Sequence, residues 1–172
     1  MKWIMVDVEA DGPIPGDYSM VSFGAVLVKH GALDETFYAE LNPISDRWMP
    51  DALDVSAFSR EDTLTFPDPA IAMVDFDAWL KEHAGNRPRF IADNNGFDWS
   101  FINWYFHHFL SRNPFGHSSS NLGDLYKGMV KNTFKSFKHL RISRHTHNPV
   151  DDAMGNAEAL IKMIGMGLNL KV

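Results

Sequence analysis

Trp3-Ile4-Met5-Val6-Asp7-Val8-Glu9-Ala10-Asp11-Gly12 places two carboxylates in a run otherwise apolar enough to be a buried strand. Trp3 to Val8 suits that strand, and Asp11-Gly12-Pro13-Ile14-Pro15-Gly16 breaks it with turn chemistry. Side chains alternate along a strand, so Asp7 and Glu9 share one face, roughly 6 to 7 Å apart along the chain. Two like charges there are costly unless a cation lies between them. The competing reading leaves Glu9 in the solvated loop and makes Asp7 a turn cap.

Working outward, Ser19 to Lys29 is rich in β-branched and aromatic residues, Gly31 punctuates it, and Thr36 to Leu41 alternates toward a third strand. The opening reads as an antiparallel meander. Residues 42 to 68 read as a long connection with a short helix around Pro50 to Phe58. Pro69 to His83 is helical, with Asp68 as N-cap and proline at the first helical position. A short strand at Arg89 to Ala92 precedes an aromatic-rich helix from Asp98 to Leu110. A loop at Gly116 to Asn121 follows, then helices at Leu122 to Asn132 and Asp151 to Gly165. These elements predict an α/β fold: a mixed sheet with an antiparallel three-strand meander plus parallel strands, flanked by helices.

Composition sets the outer bounds. A chain of 172 residues, 45% hydrophobic and 13% aromatic, fills one core, so a single domain over 1–172 is expected. The absence of cysteine excludes disulfides, thiolate metal sites and cysteine nucleophiles, leaving His, Asp and Glu as ligands and proton carriers. No run of about 18 apolar residues occurs, and Asp7 and Glu9 interrupt any leader-like segment. A soluble, cytoplasmic protein without a membrane partner is the expectation.

A net charge of -6 argues against a general nucleic-acid coat. The sign is uneven along the chain, however. No Asp or Glu lies between Asp124 and Asp151, whereas Lys127, Lys131, Lys135, Lys138, Arg141 and Arg144 recur every three or four residues. That pattern describes either a solvated face or a phosphate track.

Three further groups carry possible chemistry. Asp98 sits at a strand-to-helix junction, where open α/β sheets place ligands, although an acid there also caps a helix. His147 stands on a loop before Asp152, with Pro149 between them marking the helix start. An imidazole there suits proton transfer near neutral pH, although most histidines have ordinary surface or packing roles. Asp151 competes with Asp152 as a helix cap.

Together, Val6-Asp7-Val8-Glu9-Ala10-Asp11-Gly12, Asn94 to Asp98 and His147 to Ala153 resemble, in order and spacing, the DEDD 3'-5' exonucleases of the histidine subgroup. The resemblance covers nearly the whole chain, and Phe23-Gly24-Ala25-Val26 resembles the second strand of that family's meander. It implies a ribonuclease-H-like fold, with Asp7, Glu9, Asp98 and Asp152 as ligands of two divalent cations, Mg²⁺ or Mn²⁺, and His147 as general base. The implied substrate is the 3' end of single-stranded RNA or DNA, with RNA favoured by the likeness to small stand-alone exoribonucleases, and the implied product is a nucleoside 5'-monophosphate. Such relatives also imply a possible homodimer.

Two departures stand out: Ala10-Asp11-Gly12 replaces a hydroxyl-bearing turn, and Pro149 stands where alanine is common. Substrate contacts are expected from Ala10, Asp11, Gly12, Met20, Asn94, Phe97, Trp99, Lys135, Lys138 and Arg141, with Tyr18 a further candidate. The rival functions are a non-catalytic nucleic-acid-binding module on the same fold and a small-nucleotide phosphodiesterase.

Overall fold

The computed structural model describes residues 2–170. Its centre is β1 (Trp3–Ala10), which pairs antiparallel with β2 (Met20–Lys29), and β2 pairs antiparallel with β3 (Ala32–Glu40). On the other side β4 (Arg89–Ala92) runs parallel to β1 and β5 (Ser119–Asn121) parallel to β4, giving the five-stranded order β3-β2-β1-β4-β5. The mixed sheet read from the sequence is therefore present. Glu9 belongs to the strand, opposite Ser22, and not to the following loop.

Around the sheet lie α1 (Pro50–Val55), α2 (Arg60–Thr63), α3 (Pro69–Trp79), α4 (Asn95–Leu110), α5 (Leu122–Val130) and α6 (Pro149–Gly165). The Asp68 cap is present, its carboxylate accepting the Ala70 N–H at 2.8 Å. Several elements differ from expectation, among them α6, which starts at Pro149 and not at Asp151, and α5, which ends at Val130 and not at Asn132. β3 starts at Ala32 because His30 and Gly31 both take positive φ, 55° and 73°, and so form a tight hairpin turn. α4 starts at Asn95, which puts Asp98 inside its first turn. α2 is a single turn closed by a Ser59–Asp62 capping box within the expected loop. β5 replaces part of the expected Gly116 to Asn121 loop.

The two faces of β1 divide the core. Ile4, Val6, Val8 and Ala10 pack with Met73 and Phe76 of α3 and with Phe101, Tyr105 and Phe106 of α4. Trp3 and Met5 face α5 and α6, where Ala153, Ala157 and Leu160 are fully buried. Asp7 and Glu9 continue this second face, under the N-terminus of α6.

Gly24 allows that helix to come close. It pairs with Asp7, and a Cβ built on it would lie 2.4 Å from the Val150 nitrogen and 2.5 Å from the Pro149 carbonyl carbon. Backbone cannot yield as a flexible side chain does, so any larger residue pushes the start of α6 off the sheet. Gly24→Ala is expected to destabilise the protein by about 2 kcal/mol in urea unfolding. Gly128→Ala, where no atom crowds the added methyl, should instead be neutral or stabilising. Equal effects at the two positions would contradict this packing account.

Candidate active site

Each acid arrives on a different element. β4 pairs with β1 only as far as Met5, beyond which the Val8 N–H has no β4 partner and donates instead to Asp98 Oδ1 at 3.2 Å. Asp98 thus closes the crevice where the chain leaves β4 for α4, the usual ligand position of an open sheet. α6 starts at Asn148, whose side chain accepts from the Val150 and Asp151 N–H groups, with Pro149 in the first turn. Asp152, one turn in, points down at β1. One ligand oxygen each from Asp7, Glu9 and Asp152 lies within 4.8 Å of the other two.

This crowding occurs away from water. Asp98 and Asp152 are each 1% exposed and Glu9 9%. Burial first, then the charges of Glu9 and Asp152, holds the Asp7 carboxyl well above its ordinary range, with Arg141 opposing. Burial and then repulsion from Asp7 raise Asp98 likewise. Glu9 is pushed up to about 7 by burial and by Asp152. The guanidinium of Arg141 beside Asp7 is itself held by Asp93 at 3.4 Å and by Asn156.

The donor set fits hard divalent cations. All four groups offer oxygen, and Asp98 Oδ2 is buried with no hydrogen-bond partner among the described residues. Two dications would nearly neutralise the four carboxylates.

The imidazoles converge on Asp152. Its Oδ2 accepts the His147 backbone N–H at 3.1 Å, and its Oδ1 accepts the Thr146 backbone N–H at 3.0 Å and meets the ring Nδ1 of His145 at 2.7 Å. A ring nitrogen of His147, one of His145 and an Asp152 oxygen lie within 4.8 Å of one another. His147 has φ of 61°, a left-handed conformation that costs about 1 kcal/mol and turns the exposed ring beside His145, with centroids 4.3 Å apart. In the sequence His145 is simply one more residue of the acid-free window between Asp124 and Asp151. Its spacing of two from His147 on an irregular loop gave no periodic signal.

Asp7, Glu9, Asp98, His145 and His147 line one cleft of about 800 Å³. Ala10, Gly12, Asn94, Phe97, Lys138 and Arg141 of the expected substrate residues also line it. The others do not. Asp11 is fully buried, its carboxylate accepting the Ser19 N–H at 2.6 Å and pairing with Arg60 at 2.8 Å, so it braces the loop after β1. The Met20 side chain lies in the core. Trp99 packs edge-on against Phe90 at 5.0 Å, Tyr18 packs on Gly12 under the Arg47 guanidinium, and Lys135 lines a neighbouring hollow. Met49, Asp51, Ala52 and Val55 form an unforeseen wall from α1 and its cap. That helix is six residues long and offers no motif to read.

A mixed sheet whose central strand carries a D-x-E, met by acids from two helices, defines the ribonuclease-H-like carboxylate enzymes as a class. Over 166 residues the chain is 34% identical to the 3'-5' DNA exonuclease Cap18 of Escherichia coli, spanning 91% of this chain and 88% of that protein. On this likeness the chain belongs to the DEDD family of 3'-5' exonucleases. No protein-family profile matches it.

Among solved structures, cell-death related nuclease 4 (CRN-4) superposes with a TM-score of 0.79 at 15% identity; the match covers 96% of this chain and only 64% of that one. A 3'-exonuclease solved for 3'-end specific recognition of histone mRNA stem-loop gives a TM-score of 0.76 at 17% identity, covering 99% and 84%. These two likenesses show the shared fold.

The raised carboxyls have a consequence for stability. A folded-state pKa lifted above the unfolded value gives stability that is complete below about pH 4.5 and is lost as pH rises through the raised value, about 7 for Glu9. A cation that binds the charged forms offsets this loss. Millimolar Mn²⁺ or Mg²⁺ should therefore raise the melting temperature relative to EDTA, and by more near pH 8 than near pH 5.5. A pH-independent gain, or none, would count against the carboxylates as the binding site.

Proposed function

We propose that this chain is a metal-dependent 3'-5' exonuclease of the histidine subgroup that shortens single-stranded nucleic acid and releases nucleoside 5'-monophosphates. The carrying observation is the meeting of Asp7, Glu9 and Asp152 oxygens within 4.8 Å, in one cleft with Asp98 and His147. A binding module needs neither so costly a cluster nor an imidazole beside it.

Asp7, Glu9, Asp98 and Asp152 would hold the two cations, Mg²⁺ or Mn²⁺. When bound, these supply Lewis-acid stabilisation of charge on the attacking and leaving oxygens. His147 accepts the proton of the attacking water at its imidazole nitrogen as the new P–O bond forms and the P–O3' bond breaks. The shortened strand leaves with a free 3'-hydroxyl. His145, hydrogen-bonded to Asp152, holds that carboxylate oriented. Arg141 and Lys138 offer positive charge to the phosphates around the scissile bond.

For substrate, we take DNA first. The RNA preference rests only on likeness to small exoribonucleases, whereas the relative at 34% identity is a DNA exonuclease. Both strand types fit a cleft that adjoins a lysine-lined hollow, a layout better suited to a polymer than to a mononucleotide ester.

A time course on 5'-labelled DNA and RNA strands with Mn²⁺ should show a ladder shrinking from the 3' end, faster on DNA. His147→Ala and Asp7→Ala are each expected to slow it by at least about 100-fold, and excess EDTA to stop it. Full turnover in EDTA, or cleavage of circular single strands, would overturn the reading.

A further inference from the structure

Phe134 is 98% exposed, far beyond any other large apolar side chain among the described residues. Its turn is nonetheless built. Lys131 ends α5 with a left-handed φ of 54°, and the Asn132 N–H returns to the Lys127 carbonyl at 3.0 Å. Asn132 Oδ1 then accepts the Phe134 N–H at 2.9 Å, and its carbonyl accepts the Lys135 N–H at 3.3 Å. The chain goes to structural lengths to hold a phenyl ring out in water.

The ring borders a hollow of about 270 Å³ that Lys127, Lys135 and Lys138 also line. Lys138 and Asp93 line both this hollow and the catalytic cleft, so the two are adjacent. The acid is already paired with Arg141, and Lys135 and Lys138 form no ion pair among the described residues. The hollow is therefore net positive, beside a cleft that is strongly negative.

From this we infer that the Phe134 turn is a second nucleic-acid subsite, in which an upstream base stacks on the ring while Lys135 and Lys138 hold the phosphates on either side. The inference rests on the exonuclease reading and extends it. A strand whose 3' end lies in the cleft can leave it only toward its 5' side, and the adjacent lysine-lined hollow is the neighbouring surface that attracts phosphate. An aromatic ring beside phosphate-binding lysines is the usual platform for single strands, because every base has a face to stack. A protein partner would instead need further apolar side chains around the ring, and the hollow beside it is lined by lysines. The occupant is thus a strand several nucleotides long, and a dinucleotide would fill the cleft alone.

Phe134→Ala, Phe134→Tyr and Lys135→Gln are tested by steady-state kinetics on a labelled strand of about ten nucleotides and on a dinucleotide, with thermal melts as a folding control. Phe134→Ala should raise KM for the long strand about tenfold with kcat unchanged and leave the dinucleotide unaffected, and Phe134→Tyr should restore native KM. Lys135→Gln should flatten the salt dependence of KM on the long strand by about one phosphate contact.

Native KM for Phe134→Ala on the long strand, in a protein that cleaves both substrates, would overturn the subsite and leave the exonuclease standing. A dimer that dissociates in Phe134→Ala with KM unchanged would overturn it too, making the ring a protein contact. A native chain that cleaves neither substrate would overturn the exonuclease reading, and the subsite with it.

Discussion

Mutual repulsion among buried carboxylates is the constraint on which this structure turns. Asp7, Glu9, Asp98 and Asp152 are drawn from β1, α4 and α6 into one crevice, and burial holds Asp7, Glu9 and Asp98 above their ordinary titration range. Nothing in ordinary packing favours such an arrangement, since apolar side chains of similar volume would fill the space more stably. The surrounding fold imposes it. Gly24 admits the α6 backbone onto β2, the early end of the β1–β4 ladder leaves the Val8 N–H for Asp98, and the Asn148 cap fixes the turn that carries Asp152.

The same constraint explains how an acidic protein can act on an anionic strand. Its negative charge at the crevice is the kind that divalent cations neutralise, and its positive charge is gathered apart from it, on the acid-free stretch from Lys127 to Arg144. Asp11 belongs to neither. Fully buried and paired with Arg60, it ties the loop after β1 to α2 and so braces the α1 wall against the carboxylate floor.

Much of this was legible before any coordinates. The meander followed from alternation and turn residues, and the D-x-E declared itself because acids in an apolar strand have no packing purpose. The missing parts share a physical cause. β5 is three polar residues paired through backbone alone, so no side-chain pattern betrays it. α2 is a single turn, too short for helical periodicity. Asp11 looked like a substrate residue because the sequence cannot show that Arg60, far along the chain, buries and neutralises it. His145 was hidden because its partner, Asp152, is reached through an irregular loop, where spacing says nothing about distance.

The most direct test is crystallographic: anomalous scattering from crystals of the protein grown with Mn²⁺. The account predicts two strong peaks in the crevice, each within about 2 Å of carboxylate oxygens drawn from Asp7, Glu9, Asp98 and Asp152. Peaks absent from the crevice, or confined to the His145–His147 pair with the four acids unligated, would contradict it.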